Sequence, residues 1–290
     1  MPNAMNVSLH GVEFALEIPA DNARATRFRE TFEERGDYEV VMAAVLKRLL
    51  ERDPTPVFAD IGSFIGYYTC YAGRIVNDRA PVFAIESNGA YARTTERSAR
   101  LNGLDRVEVV HYALADTPGQ AGTDGPKLVS AAAGEATPAT TLDDLFADHD
   151  RPPEVLKIDV HGAEGLVLKG GRRMLRDCVS HVLLELHPNV YLQRYSPGTS
   201  REQILDLLAE CGFSTWYVAG HRYSWSDGLH EFLASGRFAY MPLDDKTRPF
   251  LLFDRTNHIF VYACKEDPAQ VLGEPVTDPS IDEYPDWVTT

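Results

Sequence analysis

The chain has no C-x-x-C pair, although it carries four cysteines in 290 residues. Cys70, Cys178, Cys211 and Cys264 stand far apart among apolar neighbours. That pattern excludes a disulfide framework and a zinc knuckle, and predicts reduced, buried thiols. Runs of lysine and arginine are also missing. Basic residues number 28 against 43 acidic ones, so the net charge is -15 and nucleic acid or an anionic membrane would be repelled. No apolar run approaches the roughly 20 residues of a membrane span. The opening "MPNAMNVSLH" has neither the basic nor the apolar segment of a secretory leader. Together these absences predict a cytoplasmic protein with no nucleic-acid or membrane partner. No internal repeat recurs at a fixed period, and the G-x-G-x-x-G of dinucleotide-binding folds is absent.

What is present is an ordinary globular composition. A hydrophobic fraction of 44% supplies a sizeable core, and the length suits one α/β domain with extensions. We divide it into an N-terminal hairpin and cap, residues 1–36, a main domain, 37–265, and an acidic tail, 266–290. From Lys265 onward seven acids face one lysine, with Pro268, Pro275, Pro279 and Pro285 interspersed, which predicts a solvated tail. Tyr284 and Trp287 are its only large anchors.

"VSLHGVEFALEI" alternates apolar and polar residues about His10-Gly11 and reads as a hairpin. A charged stretch follows it, and then "YEVVMAAVLKRLLER" carries helical spacing up to Pro54. From there strands and helices alternate. Strands are expected over 57–61, 82–85, 107–111, 155–158 and 181–186, and helices over 66–77, 89–102, 164–175 and 200–211. The strands are short and mostly apolar, as befits a parallel sheet covered on both faces. "FSTWYV" and "HIFVYAC" supply two final strands. "PGQAGTDGPKLVSAAAGEATPAT" has little to bury and reads as a mobile loop. "HRYSWSDGLHEFLASGRFAYMPLDD" is an aromatic insert, expected either to meet substrate or to pack on the sheet edge.

In "VFADIGSFIGYYT" an apolar strand ends at Asp60, and Gly62 and Gly66 bracket the turn into a helix. Ligands of open parallel sheets bind beyond such strand ends. The pattern is D-x-G-x-x-x-G. A carboxylate at the loop repels a pyrophosphate and suits a ligand with a cationic amino-acid portion, a character that S-adenosylmethionine has. Glu86 ends the next strand in "VFAIES", where a carboxylate accepts from both ribose hydroxyls.

Several motifs then occur in order: "FADIGSFIGYYT", "FAIESN", "VEVVHYALAD", "TTLDDL", "LKIDVHGAEGLVLKGGRRML" and "LLELHP". With them the chain resembles the FkbM-type, S-adenosylmethionine-dependent O-methyltransferases over roughly residues 37 to 264. The resemblance implies a class I methyltransferase fold: an α/β, Rossmann-like, doubly wound sheet, mostly parallel with an antiparallel last strand. It implies methylation of a hydroxyl on a small molecule or sugar, in natural-product or glycan tailoring. It places Asp60, Gly62, Ser63 and Gly66 at the methionine end of the donor, Glu86 at the ribose, and Tyr112 and Ala113 near the adenine. Two positions depart from the family's usual pattern. Ser63-Phe64 replaces the frequent Ala-Asn of the loop, and His161 stands where glutamate is common.

An alcohol that takes a methyl group must lose its proton, to a general base or with the help of a metal. "KIDVHGAE" and "LELHP" place Asp159, His161, Glu185 and His187 at the ends of neighbouring strands. Either His187 or His161 is the base with an acid orienting it, or some of the four ligate a divalent ion, or they make only structural hydrogen bonds. The base reading is adopted, with no metal. Glu164 is read as a first-turn helix acid and Lys157 as a strand residue whose partner cannot be read. Tyr38 and Glu39, with Glu34 nearby, and Tyr223 and Trp225 of the insert are the candidate substrate contacts. Rival functions are a nicotinamide-dependent oxidoreductase on a similar sheet and a non-catalytic cofactor-binding protein. The acceptor, metal need and oligomeric state, including a homo-oligomer, are not legible.

Overall fold

The computed structural model describes residues 4–36, 38–124, 127–129, 135–220, 227–252 and 258–276. The chain opens with β1 (Ala4–Leu9) and β2 (Val12–Glu17), paired antiparallel. His10 and Gly11 both take positive φ, as a two-residue turn of the primed type requires. The charged stretch after them is a helix, α1 (Ala23–Arg35), capped by the Asn22 side chain. Its apolar face is narrow, with Ala25, Phe28 and Phe32 buried. Then come α2 (Val40–Arg52), β3 (Phe58–Ile61), α3 (Tyr67–Val76), β4 (Val82–Ile85), α4 (Gly89–Leu101), β5 (Val107–Val110) and β6 (Ala113–Leu114).

The segment expected to be a loop instead forms β7 (Gly119–Asp124), β8 (Lys127–Val129) and β9 (Glu135–Thr140). With β6 they build a separate small sheet in the order β6-β9-β7-β8. Backbone hydrogen bonding between strands needs no apolar side chains, so a Gly- and Ala-rich composition did not forbid it. Thr137 ties this sheet to the main one, because its hydroxyl donates to Ser87 O at 2.9 Å.

The second half runs α5 (Leu142–Leu145), β10 (Val155–Ile158), α6 (Glu164–Lys169), α7 (Arg172–Asp177), β11 (His181–Leu186), α8 (Asn189–Tyr195), α9 (Arg201–Glu210), β12 (Ser214–Val218), α10 (Asp227–Ser235), β13 (Tyr240–Pro242), α11 (Arg248–Leu251), β14 (Ile259–Cys264) and α12 (Ala269–Leu272). The helix expected over 164–175 is therefore two. Gly170 and Gly171 break it, and a Cβ on Gly170 would meet Ala115 O at 2.1 Å, so the backbones pass too close for a side chain.

The main sheet has the order β13-β12-β14-β11-β10-β3-β4-β5. β3, β4, β5, β10 and β11 are parallel, and β14 enters antiparallel between β11 and β12. This is the doubly wound sheet with a reversed last strand. The insert adds β13 as an eighth strand at the far edge. β3, β4, β10 and β14 are buried along their whole length, which explains sequences that are apolar but for Asp60 in β3 and Lys157 in β10.

The tail is only partly what its composition predicts. Val271 and Leu272 of α12 are buried against α2. Arg48 Nη1 donates to Val271 O and Leu272 O, both at 3.0 Å. Two apolar residues and an arginine on the body thus dock residues 269–272 despite the surrounding acids. Tyr284 and Trp287 lie outside the described residues. Among the described residues no helix is long and apolar enough to cross a membrane.

Candidate active site

A cleft opens beyond the carboxyl ends of β3, β4 and β10, with α1 arching over it. Gly62 forms part of its floor at φ +84, and a Cβ there would meet Asp159 O at 1.9 Å. Only glycine fits the crossing of the loops after β3 and β10. Three other residues near it, Glu39, Phe64 and His161, hold φ of 51 to 53 without being glycine. Such strain costs on the order of 1–3 kcal/mol each and concentrates at functional sites.

The parallel register sets Lys157 of β10 directly beside Asp60 of β3. Lys157 Nζ lies 3.5 Å from Asp60 Oδ1 and 3.8 Å from Asp159 Oδ2, and both Lys157 and Asp60 are buried. Burial alone would discharge the lysine. Asp60, Asp159, Glu39 and Glu185 outweigh it and hold the ammonium above its ordinary pKa. This answers the question of Lys157's partner: a chain of buried carboxylates shares it.

Asp60 itself faces inward. Thr69 Oγ1 donates to its Oδ2 at 2.7 Å, and it is 1% exposed behind the cleft floor. Gly66 caps α3 and likewise does not reach the cleft surface, nor does Ala113, which is buried in β6. Gly62, Ser63, Glu86 and Tyr112 do line it. Glu86 accepts from Phe64 N at 2.9 Å and Asn88 N at 2.8 Å. Burial nonetheless pushes its carboxyl up to about 7.

Of the expected substrate contacts, Tyr38 and Glu39 line the cleft and Glu34 does not. Glu39 accepts from Tyr68 OH at 2.9 Å, and Tyr38 packs edge-on to Phe28 and Tyr67. Tyr223 and Trp225 lie outside the described residues. Arg24 and Arg27, three apart on α1, also line the cleft and were not singled out by sequence reasoning. Their only signal was a helical spacing within a stretch of mixed charge.

Asp159, His161, Glu185 and His187 do converge. His161 Nδ1 is 3.1 Å from His187 Nε2 and 3.6 Å from Asp159 Oδ1. His187 Nε2 is 3.7 Å from Glu185 Oε1. Asp159 and His161 line the cleft, whereas His187 and Glu185 are fully buried one layer deeper. Glu164 is more than a helix acid. It is fully buried, its Oε1 lies 2.7 Å from His187 Nδ1, and it also accepts from Gly162 N at 3.0 Å. His258, absent from the sequence argument, places Nδ1 2.5 Å from Glu185 Oε1. It sits just before β14, the antiparallel neighbour of β11, so only the sheet order brings it here. Arg201, buried on α9, donates to His187 O at 2.9 Å and Leu186 O at 3.2 Å and fixes the end of β11.

The two histidines are electrostatically opposite. Burial and the Arg24 guanidinium, which contacts Nε2, hold His161 down at about 3 against the pull of Asp159. Burial opposes charge on His187 too, but Glu164 and Glu185 prevail and raise it to about 9.

Comparison with known proteins bears on this site. A family model described as the methyltransferase FkbM domain matches residues 59–215. The hexuronic acid methyltransferase AglP of Haloferax volcanii is 31% identical over 192 residues, covering 62% of this chain and 71% of that protein. Among solved structures, the FkbM methyltransferase of Methylobacillus flagellatus is similar with 16% identity and a TM-score of 0.44, over 72% of this chain. This chain spans 44% of that one. An O-methyltransferase of Bacillus cereus in complex with SAH is similar with 12% identity and a TM-score of 0.45, over 86% and 93% of the two chains.

Proposed function

We propose, from the premise that this chain belongs to the FkbM methyltransferase family, that it moves a methyl group from S-adenosylmethionine to a hydroxyl of a sugar bearing a carboxylate. The carrying observation is the make-up of the cleft. It has a glycine floor beyond β3, a carboxylate beyond β4 and no phosphate-binding glycine loop.

Glu86 keeps a second lone pair on each oxygen for the donor's ribose hydroxyls. Glu39 and Lys157, both on the cleft surface, take the ammonium and the carboxylate of the methionine half. Asp60 acts from behind by keeping Lys157 charged. Ser63 lies beside that half and Tyr112 beside the adenine.

The acceptor lies under α1. Phe28, Tyr38 and Tyr67 offer ring faces and edges to a sugar. Among the described residues neither Arg24 nor Arg27 has a carboxylate partner, and paired guanidinium groups suit a carboxylate. The Haloferax relative is named for hexuronic acid, a sugar with such a group. In the reaction the methyl–sulfur bond breaks as the oxygen–methyl bond forms in line, and sulfur leaves neutral. Much of the rate comes from alignment. The hydroxyl proton passes to the histidine–carboxylate cluster that Asp159 and His161 present to the cleft. His187 and Glu164 act on it through His161.

Two measurements test this. Calorimetric titration with S-adenosylmethionine is expected to show one site. Labelled methyl transfer is expected to a glucuronide and only weakly to the matching glucoside. Binding of reduced nicotinamide cofactor in place of the methyl donor would overturn the proposal in favour of an oxidoreductase. Donor binding without transfer to any sugar acid or neutral sugar would reduce the chain to a binding protein.

A further inference from the structure

We infer that the histidine end of the cleft binds a divalent metal ion of the manganese, iron or zinc kind, through Asp159, His161 and His187. This rests on the methyl-transfer reading for what the ion does, and not for where it binds.

His161 Nδ1 and His187 Nε2 face each other at 3.1 Å. Asp159 Oδ1 lies 3.6 Å from the former. All three atoms are within 4.8 Å of one another. Ligands bonded to one ion at about 2.1 Å stand roughly 3 to 4 Å apart, so side-chain adjustment alone closes the site. Glu185 Oε1, 3.7 Å from His187 Nε2, is within reach as a fourth ligand, and His258 braces it.

The surroundings orient these groups as a metal site does. Glu164 Oε1 is 2.7 Å from His187 Nδ1, with both side chains buried. With one proton held on Nδ1 by that carboxylate, an ion that displaces the proton on Nε2 finds a lone pair already aimed at the other ligands, the arrangement by which outer carboxylates support metal-bound imidazoles. Glu164 is in turn fixed by Gly162 N. Lys157 lies on the other oxygen of Asp159, toward the donor end. A set of two imidazoles and one carboxylate favours the transition-metal group and zinc over calcium or magnesium. Asp159 and His161 line the cleft, so a bound ion would meet the acceptor hydroxyl, orient it beside the donor methyl and lower its pKa, taking the place of the unligated His161 as the group that activates the hydroxyl.

The test begins with chain stripped by a chelator, then titrated with Mn²⁺ and Zn²⁺ by calorimetry and with Co²⁺ by visible absorption. One equivalent is expected, with cobalt bands of a mixed nitrogen and oxygen site. His161→Ala and His187→Ala are expected to weaken binding at least 100-fold, and Glu164→Gln about 10-fold or more. Asp159→Asn serves as a further ligand variant should the buried His187 variant fail to fold. S-adenosylmethionine titration of each variant reports folding and the donor site separately. No bound ion, or binding unchanged in His161→Ala and Asp159→Asn, overturns the inference. The donor binding in that case leaves the methyl-transfer reading standing. An ion bound without any donor binding does the reverse.

Discussion

Replacing Glu86 by glutamine tests the electrostatics of the cleft without changing its shape. Glu86 is 5% exposed, and burial lifts its carboxyl from the ordinary 4.5 to about 7. The native state therefore keeps a proton that the unfolded chain releases across that window. The sign follows: stability from this group is present at low pH and lost as pH rises from about 4.5 through 7. With those two values the loss between pH 5 and pH 8 is on the order of 2–3 kcal/mol. Glutamine has no such loss. It also offers only one acceptor oxygen to Phe64 N and Asn88 N, which costs about 1–3 kcal/mol at every pH. Urea denaturation of both proteins at pH 5, 6, 7 and 8 is the assay. The gap between them should move in favour of the variant by on the order of 2–3 kcal/mol as pH rises. The donor responds oppositely, because only the ionised carboxylate accepts two ribose hydroxyls. Native affinity for S-adenosylmethionine should rise from pH 6 to 8, and the variant should bind about 10- to 100-fold more weakly with little pH dependence. Stability curves that stay parallel across pH would refute the raised carboxyl pKa.

Other consequences are more local. Gly62→Ala puts a Cβ 1.9 Å from Asp159 O at a positive φ, so stability should fall by about 3 kcal/mol or more and donor binding should vanish. A melting temperature within a degree of the native value would contradict that crossing. Arg27→Ala should lower kcat/KM about 10- to 100-fold for a sugar acid and leave a neutral sugar unchanged, and an equal loss on both would remove the carboxylate role; Arg24 is kept because it also contacts His161. Arg48→Ala removes the donor to Val271 O and Leu272 O and the cation over the Phe238 ring. It should cost about 1–3 kcal/mol and speed proteolysis near residues 269–272 with donor affinity intact, whereas unchanged proteolysis would show that α12 docks without it.

Much of the fold was legible because its signals are local. Apolar runs of three residues before Asp60 and four before Glu86, each followed by a glycine within three positions, mark buried strands leading into turns. Ser200 with Gln203 forms the capping box that a helix start requires. Where local signals were weak the reading failed. Residues 119–124, 127–129 and 135–140 pair as strands through their backbones, and composition does not report backbone partners. Gly170-Gly171 breaks a helix because Ala115 passes close by, a neighbour 55 positions away in sequence.

The order of amino acids is enough to show the alternation of strands and helices, the carboxylates at the ends of the first two sheet strands, and four polar side chains at the ends of β10 and β11. These follow from periodicity, glycine and proline chemistry and strand length, all of which act over a few residues. Folding alone sets the inward turn of Asp60 onto Lys157, the place of His161 at the cleft with His187 behind it, and the arrival of Glu164, His258, Arg24 and Arg27 at the site. Those residues come from elements far apart in the chain. Their meeting is set by sheet order, register and the arch of α1, which no short window of sequence encodes.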